Sequence, residues 1–373
     1  MKRMIAILAV VCLVLCACNS QTPTQPTTIP TTVPTTAPTT APTTVPPTTE
    51  PTTEPTTEPT IEVVLQYRHP LTGELLDEPF TGRCVAVATN NTSAAQPLHG
   101  VSQADIIYEI MAEGGGSITR CLAVYSNIAE VPKVGSIRSA RTYLVNLARG
   151  HNAAIVHCGN SRYATQLLAQ GVCDDLDQFY NGAYFYRDQD RLNAGYAWEH
   201  TLFASGESLW NCLKAHNYAT ESTYDIAPTF SENAAPDGET ANTIIVRFNS
   251  NGKQTELTYQ EAAGGYTAVQ HWYNKSAAFA DQNNAEDVLF RNVFVLYTKC
   301  WQIEPGVSNV AYELEGSGEG YFACDGKIIP IQWHRNNLDE PMTYTLTDGT
   351  PVTQGVGKSY VAILPLNSPM SYN

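Results

Sequence analysis

From Pro26 to Glu62 a proline recurs at almost every fourth position, in units such as Pro-Thr-Thr-Ile, Pro-Thr-Thr-Val, Pro-Thr-Thr-Ala and Pro-Thr-Thr-Glu, with one slip at Pro46-Pro47. Each proline removes an amide donor and biases the residue before it toward extended geometry. No helix or sheet ladder survives that spacing, so this stretch is excluded from any core and reads as a polyproline-like tether. At about 3.1 Å per residue, roughly 40 such residues reach on the order of 100 Å. The threonine density also permits O-glycosylation, as in mucin-like stalks.

Ahead of the tether stands a leader. Lys2 and Arg3 form a positive start, Ile5 to Leu15 an apolar stretch too short to span a bilayer, and small Ala17 precedes Cys18. Leu15-Cys16-Ala17-Cys18 resembles a bacterial lipobox, which implies cleavage before Cys18 and lipidation of that residue. The expected organisation is a signal peptide over 1–18, a disordered tether over 19–62 and a folded body beyond. The expected location is the outer face of a Gram-positive cytoplasmic membrane, with the lipid at Cys18 as the membrane partner.

Lys and Arg total 21 against 36 Asp and Glu, a formal charge of -15. So acidic a chain repels phosphate backbones, which excludes nucleic acid as a partner, and its membrane residence rests on the lipid rather than on a basic patch. Beyond Cys18 lie seven cysteines: Cys84, Cys121, Cys158, Cys173, Cys212, Cys300 and Cys324. Seven cannot all pair within one chain, and their irregular separations offer no zinc spacing, so no metal or cofactor is expected. Most read as small buried apolar residues; a single disulfide remains open.

Within 63–230, apolar runs at 84–89, 105–110, 120–125 and 153–157 read as strands. Segments 139–148, 162–170 and 201–216 carry apolar residues at three-to-four spacing and read as helices. The expected class is an α/β or α+β N-terminal domain with a mixed sheet. Over 240–366 strand signals dominate, separated by Asn251-Gly252, Asp325-Gly326 and Asp348-Gly349, and predict a mainly antiparallel β domain.

Two clusters carry candidate chemistry. In Val134-Gly-Ser-Ile-Arg-Ser-Ala-Arg-Thr-Tyr143, Arg138 and Arg141 share one face of a helix start that Ser136 or Ser139 can cap. Two guanidiniums and free amides favour phosphate or carboxylate. The competing reading is an internal ion-pair lattice with Glu109 and Glu113, and Arg120 fits either. In Phe185-Tyr-Arg-Asp-Gln-Asp-Arg191 and Trp198-Glu-His200, Arg187, Asp188 and His200 lie in an aromatic, loop-rich stretch. His200 is a candidate base or a hydrogen-bonding histidine, and His157, at the end of a strand, has the same two readings. Ser250-Asn-Gly-Lys253 sits on a hairpin rather than a helix start, Gly316-Ser-Gly-Glu-Gly320 lacks phosphate-cradle spacing, and His157 and Cys158 point to opposite faces of a strand. None supports an enzyme assignment.

The body resembles the YerB family of bacterial lipoproteins, whose two domains are of unknown function. The resemblance rests on His69-Pro-Leu-Thr-Gly-Glu74, Gly100-Val-Ser-Gln-Ala-Asp-Ile-Ile-Tyr-Glu109, Lys133-Val-Gly-Ser-Ile-Arg-Ser-Ala-Arg141, Phe185-Tyr-Arg-Asp188, Glu315-Gly-Ser-Gly-Glu-Gly-Tyr321 and Gly357-Lys-Ser-Tyr360. It departs at Ser136, where relatives tend to show proline, at Cys158, where they show a small residue, and at Thr201, where they show Asn. The resemblance implies an envelope lipoprotein and no reaction. Three functions therefore compete: a binding protein for an anionic wall component or a membrane-bound partner, an enzyme on wall glycan, peptide or teichoic polymer, and a scaffold docking through the β domain near Trp301 or Trp333.

Overall fold

A computed structural model describes residues 67–114, 118–222, 228–248 and 252–373. Cys18, the leader, the tether and Ser250 lie outside the described residues. Strands Val85–Asn91, Ile106–Met111 and Thr119–Tyr125 are buried at every position. Their near-continuous apolar runs follow from a sheet covered on both faces.

That sheet has eleven strands and takes segments from both halves of the body. From one edge its order is Asp175–Asp177, Ala154–His157, Val85–Asn91, Thr119–Tyr125, Ile106–Met111, Ser359–Pro365, Asn292–Thr298, Gly316–Cys324, Lys327–Arg335 and Glu239–Thr240, with Thr343–Thr345 also on Lys327–Arg335. The N-terminal part is mixed: Ala154–His157 runs parallel to Val85–Asn91, which pairs antiparallel with Thr119–Tyr125. The C-terminal region is mostly antiparallel. Its hairpin Gly316–Cys324 to Lys327–Arg335 turns through Asp325 and Gly326, both at positive φ (52° and 72°), the left-handed pair that a two-residue type I′ loop requires. Ser359–Pro365 joins the halves, running parallel to Ile106–Met111 on one side and to Asn292–Thr298 on the other.

Strand alternation divides the core between the two faces. Val87, Ile107 and Cys121 pack with Leu209 of helix Gly206–Ala215 and with Ile244 and Leu257 of a second, five-stranded antiparallel sheet. Ala86, Tyr108 and Leu122 pack with Leu144 and Ala148 of helix Thr142–Gly150. Each fully buried Leu or Ile contributes roughly 1.5–3 kcal/mol to this three-layer arrangement.

The structure corrects three local expectations. Residues 201–216 are not one helix: Leu202–Ala204 is a strand between Val134–Gly135 and Tyr186–Arg187, and the helix starts only at Gly206 behind its Ser205 cap. Neither Ser136 nor Ser139 caps helix Thr142–Gly150, whose N-cap is Arg141 and makes no side-chain cap bond. Trp333 is buried beneath strand Gly316–Cys324, so it presents no docking surface, whereas Trp301 is half exposed. All seven body cysteines are free thiols, four of them buried.

Candidate functional site

The site begins in the sheet. Arg120 lies directly opposite Asn90 on one neighbour and Ile110 on the other, so it projects from the face that carries helix Thr142–Gly150. Beyond Ala88 the segment Ser136–Arg138 takes over as the outer neighbour of strand Val85–Asn91: Asn90 N–H donates to Ser136 O at 2.9 Å and Arg138 N–H to Ala88 O at 2.8 Å. This pairing brings Arg138 and Arg141 to Arg120.

Arg120 is only 4% exposed, and neither its Nε nor its Nη1 finds a partner among the described residues. Burial first, then repulsion from Arg141 and Arg138, pulls its guanidinium down to about 10. The Nε atoms of Arg138 and Arg141 and the Oγ of Ser136 are likewise buried without a partner among the described residues. Against three guanidiniums stand two carboxylates. Arg141 Nη2 meets Glu113 at 3.2 Å, and Arg138 Nη1 lies 3.7 Å from the largely exposed Glu199.

Glu109 is the correction here. It projects from the opposite face and is fully buried in an ion pair with Lys253, 2.8 Å away. It also accepts from Thr119 Oγ1 at 2.6 Å, Tyr360 OH at 2.7 Å, Thr255 Oγ1 at 2.8 Å and Asn91 Nδ2 at 2.9 Å. Burial opposes its charge, but Lys253 and these donors outweigh that and hold the carboxyl below its ordinary range. Alternation along Ile106–Met111 keeps it away from the arginines, and no residue-type pattern marked Lys253 as its partner.

Beside the arginines opens a cleft of about 860 Å³, lined among others by Arg138, Ser139, Asn160, Asp177, Arg187 and Trp198. Arg187 stacks over Trp198 with 4.3 Å to the ring centre and donates to Trp198 O at 2.7 Å. Burial first lowers its affinity for the proton, with the Arg138 charge adding to the effect. His157 lies beneath the cleft, wholly buried, its Nε2 2.6 Å from Asp175 Oδ1 and its Nδ1 2.8 Å from Gly159 O. Both nitrogens face acceptors, so the ring is held as an imidazolium. Burial works against the charge, but Asp175, Asp177 and the Gly159 carbonyl together raise its pKa.

The remaining candidates are engaged elsewhere. Asp188 caps helix Gln189–Asn193 by accepting from Arg191 N–H at 3.0 Å and pairs with Lys133. His200 Nδ1 meets Asn90 Nδ2 at 2.8 Å, and burial lowers its pKa. The structure thus brings together Arg120, Arg138, Ser139, Arg141, Glu113 and Arg187, sets His157 and His200 behind them as supports, and separates Glu109 and Asp188. Sequence reasoning missed Asp175, Asp177, Phe179 and Tyr180. Strand Asp175–Asp177 is three residues long and polar at two of them, and only the Phe179-Tyr180 pair signalled the loop after it.

Comparison with known proteins agrees with this layout. Residues 71–219 match the N-terminal domain and residues 244–361 the C-terminal domain of a protein family of unknown function, DUF3048. The Bacillus subtilis (strain 168) protein YerB, named as a lipoprotein, is 28% identical over 302 residues, covering 79% of this chain and 86% of that protein. The crystal structure of YerB from Bacillus subtilis superposes with a TM-score of 0.69 at 26% identity, covering 82% of this chain and 99% of that one. Two matched domains in tandem and a shared fold show that the chain belongs to the YerB family, a two-domain lipoprotein family of unknown function.

Proposed function

We propose that this is a lipid-anchored envelope protein that binds an anionic group of a wall component at the arginine cluster. One observation carries the reading: Arg120, buried, charged and without a partner for two of its nitrogens among the described residues. A buried unpaired charge costs several kcal/mol, so an oxyanion that bridges Arg120, Arg138 and Arg141 recovers a penalty already built into the fold. Helix Thr142–Gly150 begins at the same place without a side-chain cap, and its first amides favour the same charge. Lipidation at Cys18 and the long tether would let such a body search the wall from the membrane surface. An enzyme reading draws less support, since its acid and base candidates Glu113, Asp188 and His200 each have a partner.

The test is thermal unfolding of wild type and Arg120→Met with inorganic phosphate titrated at constant ionic strength. Wild type should gain about 4 °C once phosphate exceeds its dissociation constant a hundredfold. Arg120→Met should melt higher than wild type without phosphate, because methionine fills the volume without the charge, and should lose the phosphate response. A lower melting point for Arg120→Met together with no response in wild type would make the arginine a structural strut and overturn the reading.

A further inference from the structure

The cleft beside Arg138 holds far more than one oxyanion, and its rim is aromatic. Trp198, Phe179 and Tyr180 are 62%, 71% and 87% exposed, yet all three line it. Phe179 is nonetheless fixed. Gly159, at φ +63°, leaves room for its ring, since a Cβ there would stand 2.7 Å from the ring edge. The amides of Gly159 and Phe179 both donate to Asp177 Oδ1, at 2.8 and 3.2 Å. Trp198 has one face under the Arg187 guanidinium and turns the rest of its ring outward. Phe179 and Trp198, held in place and left bare in this way, form a preorganised contact surface, with the Tyr180 ring exposed beside them.

The same cleft is lined by carboxylates that accept from hydroxyls, Asp175 and Glu199, and by Asn160, whose amide oxygen already accepts from Thr165 Oγ1. Asp175 is paired with His157 and Glu199 lies 3.7 Å from Arg138, but each carboxylate keeps lone pairs that an apolar occupant would strip of water and a hydroxyl would satisfy. We propose that the site takes an anionic saccharide, its phosphate or carboxylate on the arginines and its pyranose ring, C–H face down, against Trp198, Phe179 and Tyr180. The electron-rich ring faces meet the polarised C–H groups of the sugar while its hydroxyls reach the carboxylates. The proposal rests on the anion-binding reading and adds the class of molecule that carries the anion.

Calorimetric titration of the whole chain with inorganic phosphate, glucose 1-phosphate, N-acetylmuramic acid, glucose and uridine monophosphate separates the two claims. Glucose 1-phosphate or N-acetylmuramic acid should bind about tenfold tighter than inorganic phosphate, the gain expected from a single well-placed aromatic contact. Whichever is tighter names the source of the anion, a phosphorylated or a carboxylated sugar. Trp198→Ala and Tyr180→Ala should each narrow the gap over inorganic phosphate, and Tyr180, the most exposed of the three, is a change the fold will absorb. Equal affinity for phosphate and both sugars overturns the inference and leaves the anion site standing. A uridine monophosphate affinity above that of the sugars, with the same dependence on Trp198, overturns it in favour of a base-stacking platform. Absence of binding by phosphate, glucose 1-phosphate and N-acetylmuramic acid alike removes both claims.

Discussion

At the residue scale the molecule keeps a buried ion pair on the sheet face opposite Arg120. Glu109 and Lys253 are wholly buried and paired, and the carboxylate is wrapped by hydroxyl and amide donors from four strands. Lys253→Met strands that carboxylate in a low-dielectric interior and should cost about 3–5 kcal/mol in urea unfolding. The double change Glu109→Gln with Lys253→Met should recover most of the loss, since no charge is then left alone; a double variant as weak as the single would refute the pairing argument. His157 gives a pH dependence of definite sign. Its native pKa is raised above the ordinary value of 6.5, so its contribution to stability is full below 6.5 and disappears as pH climbs through the native value. The stability difference between wild type and His157→Gln should therefore shrink as pH rises above 6.5. A difference that grows across that range would mean that the histidine is held neutral.

At the element scale the sequence was most informative where hydrophobic period is long and both flanks are marked. The runs at 84–89, 105–110, 120–125 and 153–157 match strands Val85–Asn91, Ile106–Met111, Thr119–Tyr125 and Ala154–His157 within one or two residues, because short apolar runs bounded by polar residues suit buried strands. The candidate cleft was half legible: Arg138, Arg141 and Arg187 stand out by type in an acidic chain, while Arg120 gains its meaning only from its register opposite Asn90. Strand Leu202–Ala204 is hidden in the sequence because its three apolar residues continue the spacing of the following helix. The helix begins only after Ser205, whose backbone is extended (φ -83°, ψ 150°) and whose side chain caps it. A Cβ on Gly206 would fall 1.7 Å from Ile128 O, so the first turn lies directly on the Ile128–Glu130 turn. Ser205→Ala should cost about 1 kcal/mol by removing the bond from Ser208 N–H. Gly206→Ala should cost more than Ser205→Ala, because a helix has to move rather than lose one cap; equal denaturation midpoints would show that the contact yields easily.

At the scale of the whole molecule, the central sheet runs from one matched family domain into the other through one strand that comes almost last. Ser359–Pro365 fills the slot between Ile106–Met111 and Asn292–Thr298, and Tyr360 on it donates to Glu109 from the other half of the chain. Without it, two buried strands would each expose an edge with unpaired amides and carbonyls, and the Glu109 carboxylate would lose a donor. The chain must therefore be complete before the central sheet closes, which makes the contact order high and the two matched domains interdependent in stability. Full-length protein should unfold in one cooperative transition, with far-ultraviolet ellipticity and tryptophan fluorescence changing at the same urea concentration. Truncation after Lys358 should abolish that transition and leave residues 67–222 aggregation-prone rather than folded. Two separated transitions in the intact chain, the first leaving the N-terminal strands protected from hydrogen exchange, would show instead that each matched domain closes its own sheet and that the last strand only docks between them.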